Sequence, residues 1–275
     1  MAFELAKLRY LSAKGAAGNR HGEWISSARS AGRWTPRPSC ACYLRGMSPY
    51  RAVVIGGTGA VGSALVRELL ASPRCSQVVV IGRSEPAPDS FGGTSKKLSV
   101  HSVNMEQVAR EAIDYARTCE AAFCTMGVGQ PRKVGRKEFW KVDVEYATAF
   151  ARACKIAGVR HFTLLSSVGA NANSSNNYLH VKGVVEERIQ QLRFERASFF
   201  RPSLLLTKKI RYGVLDFLAQ AFYPAISWTL APRFHQIRVT DLGRAMRINA
   251  ERPAESPVEA LTYPEFLALL RGKLD

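Results

Sequence analysis

Two short stretches of this chain carry side chains whose types and spacing could do chemistry. In AVVIGGTGAVGSALVREL, Gly56, Gly59 and Gly62 recur at every third position, after a β-branched run and before an apolar-periodic one marked by Val61, Leu65, Leu69 and Leu70. A strand that turns sharply into a helix uses such glycines for the tight turn, for close approach of a ligand to the backbone, and for close packing of helix on strand. The helix that follows offers free N–H groups and the positive end of its dipole, which suits a pyrophosphate. In HFTLLSSVGANANSSNNYLHVKGVVEERI, Tyr178 and Lys182 stand four residues apart, so a helix there places both on one face. A phenol is a poor acid or base near neutral pH until a neighbouring ammonium stabilises its anion, and Lys182 can supply that charge. Ser166 and Ser167, closing the preceding β-rich run, offer hydroxyls that could orient a carbonyl oxygen, with Ser167 preferred. Together these groups suit proton transfer to a carbonyl while hydride arrives from a nicotinamide.

Which nicotinamide is read from the next strand. A dinucleotide fold meets the adenosine ribose roughly 20 residues past its glycines, where an acidic residue would accept from the ribose hydroxyls and favour NAD. The run VVVIGR instead ends in Gly82, Arg83 and Ser84. Arg83 can hold a 2′-phosphate by charge-assisted hydrogen bonds, which predicts NADP(H), with NADPH preferred over NADH.

Positioning these groups requires alternating strands and helices. From Arg51 onward, β-branched runs alternate with amphipathic stretches, the pattern of successive βα units around a parallel sheet. Strands are predicted at Ala52–Ile55, Gln77–Ile81, Lys97–Val103, Ala121–Thr125, His161–Ser166 and Ala197–Arg201. Helices are predicted at Ala60–Ala71, Met105–Arg117, Arg136–Ala157 and Tyr178–Gln191. A further strand and helix span Gln236–Ala250, and a final pair spans Glu259–Arg271. The expectation is an α/β, doubly wound parallel sheet of the Rossmann type. It forms a single domain over residues 47–275, with a small substrate-covering region from about residue 203 to 275.

The order of GxxGxxG, Ser-Ser at a strand end and YxxxK opening a helix resembles the short-chain dehydrogenase/reductase superfamily. Within it, HFTLLSSVGA, YLHVKGVVEE, LRFERASFFRPSLLL and AAFCTMG are most similar to an atypical branch, the Tat-interactive-protein-like oxidoreductases. The resemblance covers about Ala52 to Arg252. It implies that Gly56, Gly57, Thr58, Gly59, Ala60, Val61 and Gly62 line the pyrophosphate, Arg83 the adenosine phosphate, and Met126 and Gly127 the middle of the cofactor. It further implies that Arg201 and Pro202 flank the nicotinamide end, and that Tyr178, Lys182 and Ser167 are catalytic, with Lys182 also holding the nicotinamide ribose. The chain departs from the wider superfamily at VDVEYA, where Asp143 stands in place of an Asn that completes a proton relay in many members. Asp143 either takes a different structural role or alters the relay. Asp241 in IRVTDLGRA resembles a residue that caps the following helix.

Composition narrows the remaining classes. The 275 residues include 39 Lys and Arg against 22 Asp and Glu, a formal charge of +17. Such a balance favours anionic partners, but no zinc spacing, basic zipper or aromatic RNA-binding signature supports nucleic acid, and scattered solvated cations account for it better. Lys208, Lys209 and Arg211 form a local basic cluster. The six cysteines, Cys40, Cys42, Cys75, Cys119, Cys124 and Cys154, show neither CxxC nor metal-ligand spacing, and read as reduced thiols with no metal site. His101, His161, His180 and His235 read as structural or surface histidines, and Trp140, Phe222, Tyr223 and Trp228 as core or pocket wall. The apolar stretch from Gly213 to Pro232 contains Asp216, Gln220 and Pro224, so it suits a substrate-covering helix and loop better than a membrane span; peripheral membrane contact is the lesser alternative.

Residues 1–46 have the composition of a mitochondrial targeting segment: Lys7, Arg9, Lys14, Arg20, Arg29, Arg33, Arg37 and Arg45 stand against only Glu4 and Glu23. A start at Met47 would instead leave a cytoplasmic protein. The function expected is therefore an NADP(H)-dependent oxidoreductase acting on a small carbonyl or alcohol substrate. The alternative is a nucleotide-binding regulatory or assembly protein with a protein partner and little turnover.

Overall fold

The computed structural model describes residues 48–86, 88–93, 95–128, 134–206 and 231–272. Seven strands lie parallel in the order β3-β2-β1-β4-β5-β6-β9. They are β1 (Tyr50–Ile55), β2 (Cys75–Gly82), β3 (Leu98–Ser102), β4 (Ala121–Cys124), β5 (His161–Leu165), β6 (Arg196–Phe200) and β9 (Val258–Leu261). A separate two-stranded parallel ribbon joins β7 (Leu205–Leu206) to β8 (Ile237–Arg238). This is the doubly wound, Rossmann-type sheet expected, and the unit that carries it begins at Ser48.

The strands are nearly continuous apolar runs because helices cover both faces of a parallel sheet. Alternation along β1 sends Val53 and Ile55 into one core and Ala52 and Val54 into the other. The first core is completed by α2 (Val108–Ala116), α4 (Ala147–Ile156) and α5 (Asn177–Gln191), through buried Val108, Ala112, Phe150, Val181 and Val185. The second is completed by α1 (Ala60–Ala71), α6 (Val239–Glu251) and α7 (Tyr263–Leu270), through Leu65, Leu69, Leu242, Met246 and Phe266. α1 and α6 approach so closely that a Cβ on Gly243 would lie 2.8 Å from Leu65 N.

Three local expectations are revised. The helix predicted over Arg136–Ala157 is not uniform: α3 (Arg136–Trp140) opens into a π-helical stretch, Lys141–Tyr146, before α4 resumes. The run from Met105 begins as a 3₁₀ turn, Met105–Gln107, because the Asn104 side chain accepts from Glu106 N at 3.0 Å and tightens the entry. Asp241 does not cap α6; the cap position is Arg238, and Asp241 lies in the first turn, where its charge complements the helix dipole. Residues 1–46 and 207–230 lie outside the described residues. With them lie the targeting segment, most of the apolar stretch, the Lys208, Lys209 and Arg211 cluster, and Phe222, Tyr223 and Trp228. Among the described residues no helix is long and apolar enough to cross a membrane.

Cys75, Cys119, Cys124 and Cys154 are buried, and burial pushes the Cys75 thiol up to about 11 and those of Cys119 and Cys124 up to about 12. They pack as small apolar groups with little thiolate character.

The amino ends of β5, β6 and β9 enclose a polar network. Arg196 donates from Nε to Glu259 Oε1 at 2.7 Å, from Nη1 to Arg252 O at 2.8 Å and from Nη2 to Asn249 Oδ1 at 3.0 Å. Arg252 reaches the other oxygen of Glu259 at 2.6 Å, and Ser198 Oγ donates to Oε1 at 2.7 Å. His161 Nε2 lies 2.7 Å from Ser198 Oγ; since that hydroxyl already donates to Glu259, the imidazole is the donor. His161, Asn249 and Glu259 thus hold Ser198 fully buried between them, which is architecture rather than a nucleophile. Burial, then the nearby Arg196 and Arg252 cations, hold the His161 imidazolium well below the ordinary histidine range.

A histidine depressed on folding stabilises the fold fully above its unfolded value of about 6.5, and that stability is lost as pH falls below it toward the folded value. Urea unfolding between pH 7.5 and 5.5 is therefore expected to show stability declining by up to about 1.4 kcal/mol per pH unit on this account. His161→Gln, which keeps a donor for Ser198, is expected to flatten that decline; an unchanged slope would remove His161 as its source.

Candidate functional site

The strand order reverses between β1 and β4, and in doubly wound sheets the ligand crevice lies outside the carboxyl ends of the strands at that point. Gly56 leaves β1 with φ +81°, and a Cβ there would lie 2.5 Å from Met126 N. Gly62, in the first turn of α1, has no room either: its Cβ would fall 2.2 Å from Gly56 O and 2.7 Å from Thr125 Oγ1. Thr125, in turn, donates its hydroxyl to Ile55 O at 3.1 Å, pinning the exits of the two strands together. Gly59 N donates to Gly56 O at 3.0 Å and closes the turn. Gly59 also stands at the cap position of α1 with no side-chain cap and no acid in the first turn, so the positive end of the helix is not answered by its own side chains.

The second group of residues is built on α5. Asn176 caps the helix, its side chain accepting from Tyr178 N at 3.0 Å and Leu179 N at 3.2 Å. The cap is thereby set two residues before Tyr178, and the helix begins at Asn177. Tyr178, Lys182 and Glu186 then follow at intervals of four on one face. Tyr178 is half-buried and its ring stacks on the buried Phe139 at 6.0 Å, 7° from parallel. The loop from Val168 to Asn176 lies against α5, where a Cβ on Gly183 would be 2.1 Å from Ala172 N, and His180 Nδ1 donates to Ala172 O at 2.5 Å.

Lys182 is buried, and its ammonium lies 2.7 Å from Asp143 Oδ1, with side chains only 8% and 1% exposed. Asp143 sits on the π-helical stretch, and its other oxygen accepts from Val128 N at 2.8 Å on the loop leaving β4. Burial alone would depress the lysine, but the Asp143 carboxylate, helped by Tyr178, overcomes it and holds the ammonium above the ordinary lysine range. Gly127 faces the pair: a Cβ there would be 3.0 Å from Asp143 Oδ1 and 3.5 Å from Lys182 Nζ. At the position where Asp143 departs from the wider superfamily, the structure holds a direct ion pair with the lysine.

A second buried carboxylate separates the two serines. Ser166 Oγ donates to Glu186 Oε1, and Arg201 donates Nε to the same oxygen at 3.0 Å and Nη2 to Oε2. The guanidinium is held charged first by that hydrogen bonding. The Ser167 hydroxyl makes a long bond, 3.4 Å, to Val168 O. Arg83 stands apart, exposed at the end of β2, with no acidic residue beside it in the chain before Glu85. Sequence reasoning missed Thr125, Val128 and Glu186. The spacing of Glu186 four residues beyond Lys182 was a usable signal, whereas the contacts of Thr125 and Val128 depend on the approach of β4 to distant elements. Among the described residues, no group of three His, Cys, Asp or Glu side chains could hold a metal ion.

Residues 56–200 match the protein family described as NAD(P)H-binding. Over 222 residues the chain is 33% identical to the protein HTATIP2 of Rattus norvegicus, spanning 78% of this chain and 87% of that protein. It is 35% identical over 180 residues to "Protein FMP52-1, mitochondrial" of Scheffersomyces stipitis, spanning 61% of this chain and 76% of that protein. Among solved structures, a UDP-N-acetylglucosamine 4-epimerase from Methanobrevibacter ruminantium is similar with a TM-score of 0.59 at 16% identity, covering 78% of this chain and 77% of that one. MoeE5 in complex with UDP-glucuronic acid and NAD is similar with a TM-score of 0.58 at 19% identity, covering 81% and 82%. These structural likenesses speak to the fold, while the sequence matches speak to descent. The chain belongs to the NAD(P)H-binding family, in the atypical short-chain dehydrogenase/reductase branch that includes HTATIP2 and FMP52.

Proposed function

We propose that the chain binds NADP(H) and transfers hydride to or from a carbonyl or alcohol of a small substrate. The observation that carries this reading is the placement of Tyr178 beside a buried, charged Lys182 that adjoins Gly127, on the loop leaving the crevice strand β4. The residues present fit a dinucleotide: Gly56 and Gly62 keep the crevice free of side chains, and α1 opens with an unanswered positive end suited to a pyrophosphate. When bound, the nicotinamide supplies or accepts the hydride.

The chain's own residues divide the remaining tasks. The backbone from Gly56 through Gly57, Thr58, Gly59, Ala60 and Val61 to Gly62 cradles the pyrophosphate, and Met126 and Gly127 border the middle of the cofactor. Arg83 holds the 2′-phosphate. Lys182 holds the nicotinamide-side ribose and stabilises the Tyr178 phenolate; Tyr178 delivers the proton to the carbonyl oxygen or removes it from the alcohol. Ser167 orients that oxygen, since the Ser166 hydroxyl is committed to Glu186. Arg201 and Pro202 shape the nicotinamide end, with Glu186 fixing the guanidinium.

Titration of purified protein with NADPH and NADH, with a panel of carbonyl substrates, tests these assignments. Arg83→Ala is expected to reduce the preference for NADPH about tenfold or more, as loss of a charge-assisted contact implies. Tyr178→Phe is expected to lower turnover by at least about 100-fold while leaving NADPH affinity near that of the wild type. A wild type that binds neither nucleotide would sink the proposal. Binding without turnover of any carbonyl, and a cellular role that survives Tyr178→Phe, would instead make the nucleotide a ligand of a regulatory or assembly protein.

We also propose a mitochondrial location, supported by the basic, nearly acid-free composition of residues 1–46 and by the word mitochondrial in the names of the fungal relatives. Residues 1–46 fused to a fluorescent protein are expected to carry it into mitochondria; a cytoplasmic signal would reject this.

A further inference from the structure

We propose that Asp143 is a positioning residue for Lys182: from the π-helical turn it fixes the lysine ammonium against Gly127 and couples it to the loop leaving β4, so that the lysine is placed for the nicotinamide-side ribose before a dinucleotide arrives. This rests on the role given to Lys182 above and adds to it a residue of the chain's own.

Both oxygens of Asp143 are used, and they join different elements. One meets Lys182 Nζ on α5 at 2.7 Å; the other accepts from Val128 N at 2.8 Å. The carboxylate is therefore a strut between the helix that carries the reacting pair and the loop that borders the crevice. π-Helical turns recur where a side chain must be aimed away from the regular helical phase, and Asp143 lies within this one. Gly127 closes the third side, where a Cβ would press on the Asp143 carboxylate at 3.0 Å and touch the lysine ammonium at 3.5 Å.

A buried ion pair is weak evidence for stability, because apolar side chains of similar volume often serve as well. Its specific contribution here is geometric and electrical. An ammonium has three donors and Asp143 uses one, so capacity for ribose hydroxyls is kept. The carboxylate also offsets the burial, which on its own lowers the lysine's hold on its proton. An amide at this position could accept a hydrogen bond from the lysine but would not supply that charge.

The test separates the two halves of the dinucleotide. Calorimetric titration of the full chain with NADPH and with adenosine 2′,5′-bisphosphate, which lacks the nicotinamide ribose, is made on wild type, Asp143→Asn, Lys182→Met and the double variant. Asp143→Asn is expected to weaken NADPH about tenfold and to change the bisphosphate by less than about twofold, and its effect is expected to vanish in the Lys182→Met background, as coupled groups require. NADPH binding to Asp143→Asn is further expected to weaken at a lower pH than wild-type binding does as pH rises, because the buried lysine without its carboxylate loses its proton first. Gly127→Ala crowds the pair while keeping Asp143, and is expected to show the same selective loss; it substitutes if Asp143→Asn does not fold. Equal weakening of both ligands, or additive effects in the double variant, would overturn the positioning role while leaving the cofactor assignment intact. Failure of wild type to bind either ligand would overturn both.

Discussion

At the crossing of β1, α1 and β4 there is no room for a single additional carbon atom, and the rest of the molecule is arranged around that constraint. The carbonyl of Gly56, the backbone at Gly62 and the hydroxyl of Thr125 meet at distances that exclude a Cβ. Because Thr125 also bonds to Ile55 O, the exit of β4 is set relative to the exit of β1 by hydrogen bonding as well as by sterics. A groove at the switch point follows from this closeness, and so does the course of the next residues, Met126 to Val128, from which Asp143 and then Lys182 are hung. The position of Lys182 is thus traceable, contact by contact, to the glycines of the first turn.

The two edges of the sheet use buried charge differently. At the amino ends of β5, β6 and β9, Glu259 is saturated: Arg196, Arg252, Ser198 and Asn249 all donate to it, and these hydrogen bonds and cations pull the carboxylate below its ordinary range despite burial. Every donor there is answered within the protein, which suits a rivet. At the carboxyl ends, Lys182 has one strong partner and an ammonium's further donors, which suits a ligand. Glu186 lies between these extremes, tying Ser166 to Arg201 and so leaving Ser167 as the serine whose hydroxyl is weakly held.

Most of the fold was legible in the sequence because parallel strands buried on both faces read as uninterrupted runs, such as AVVI in β1 and VVVI in β2. The glycine loop was legible because its spacing is meaningful only between a strand and a helix, and both flanks were visible. Tyr178 and Lys182 could be placed on one face by counting, and Glu186 could have been. The π-helical stretch could not, since KVDVEY fits regular helical periodicity and the contacts Asp143 makes from it, to Val128 and Lys182, lie on distant elements. Nor could the polar network, whose members Arg196 and Glu259 are 63 residues apart and meet only because β9 pairs with β6. The pairing of Leu205–Leu206 with Ile237–Arg238 escapes periodicity altogether, each strand being two residues long.

β6 is flanked on one side by β5 and on the other by β9, which follows it in sequence only after α6. Without β9 the sheet would end at β6 in unpaired backbone groups, beside a guanidinium, Arg196, that lacked its carboxylate. A lone cation on an edge strand disfavours pairing with another sheet, and Glu259 turns it into a bond within the molecule. The strand that closes the β6 edge therefore also carries the charge that neutralises it.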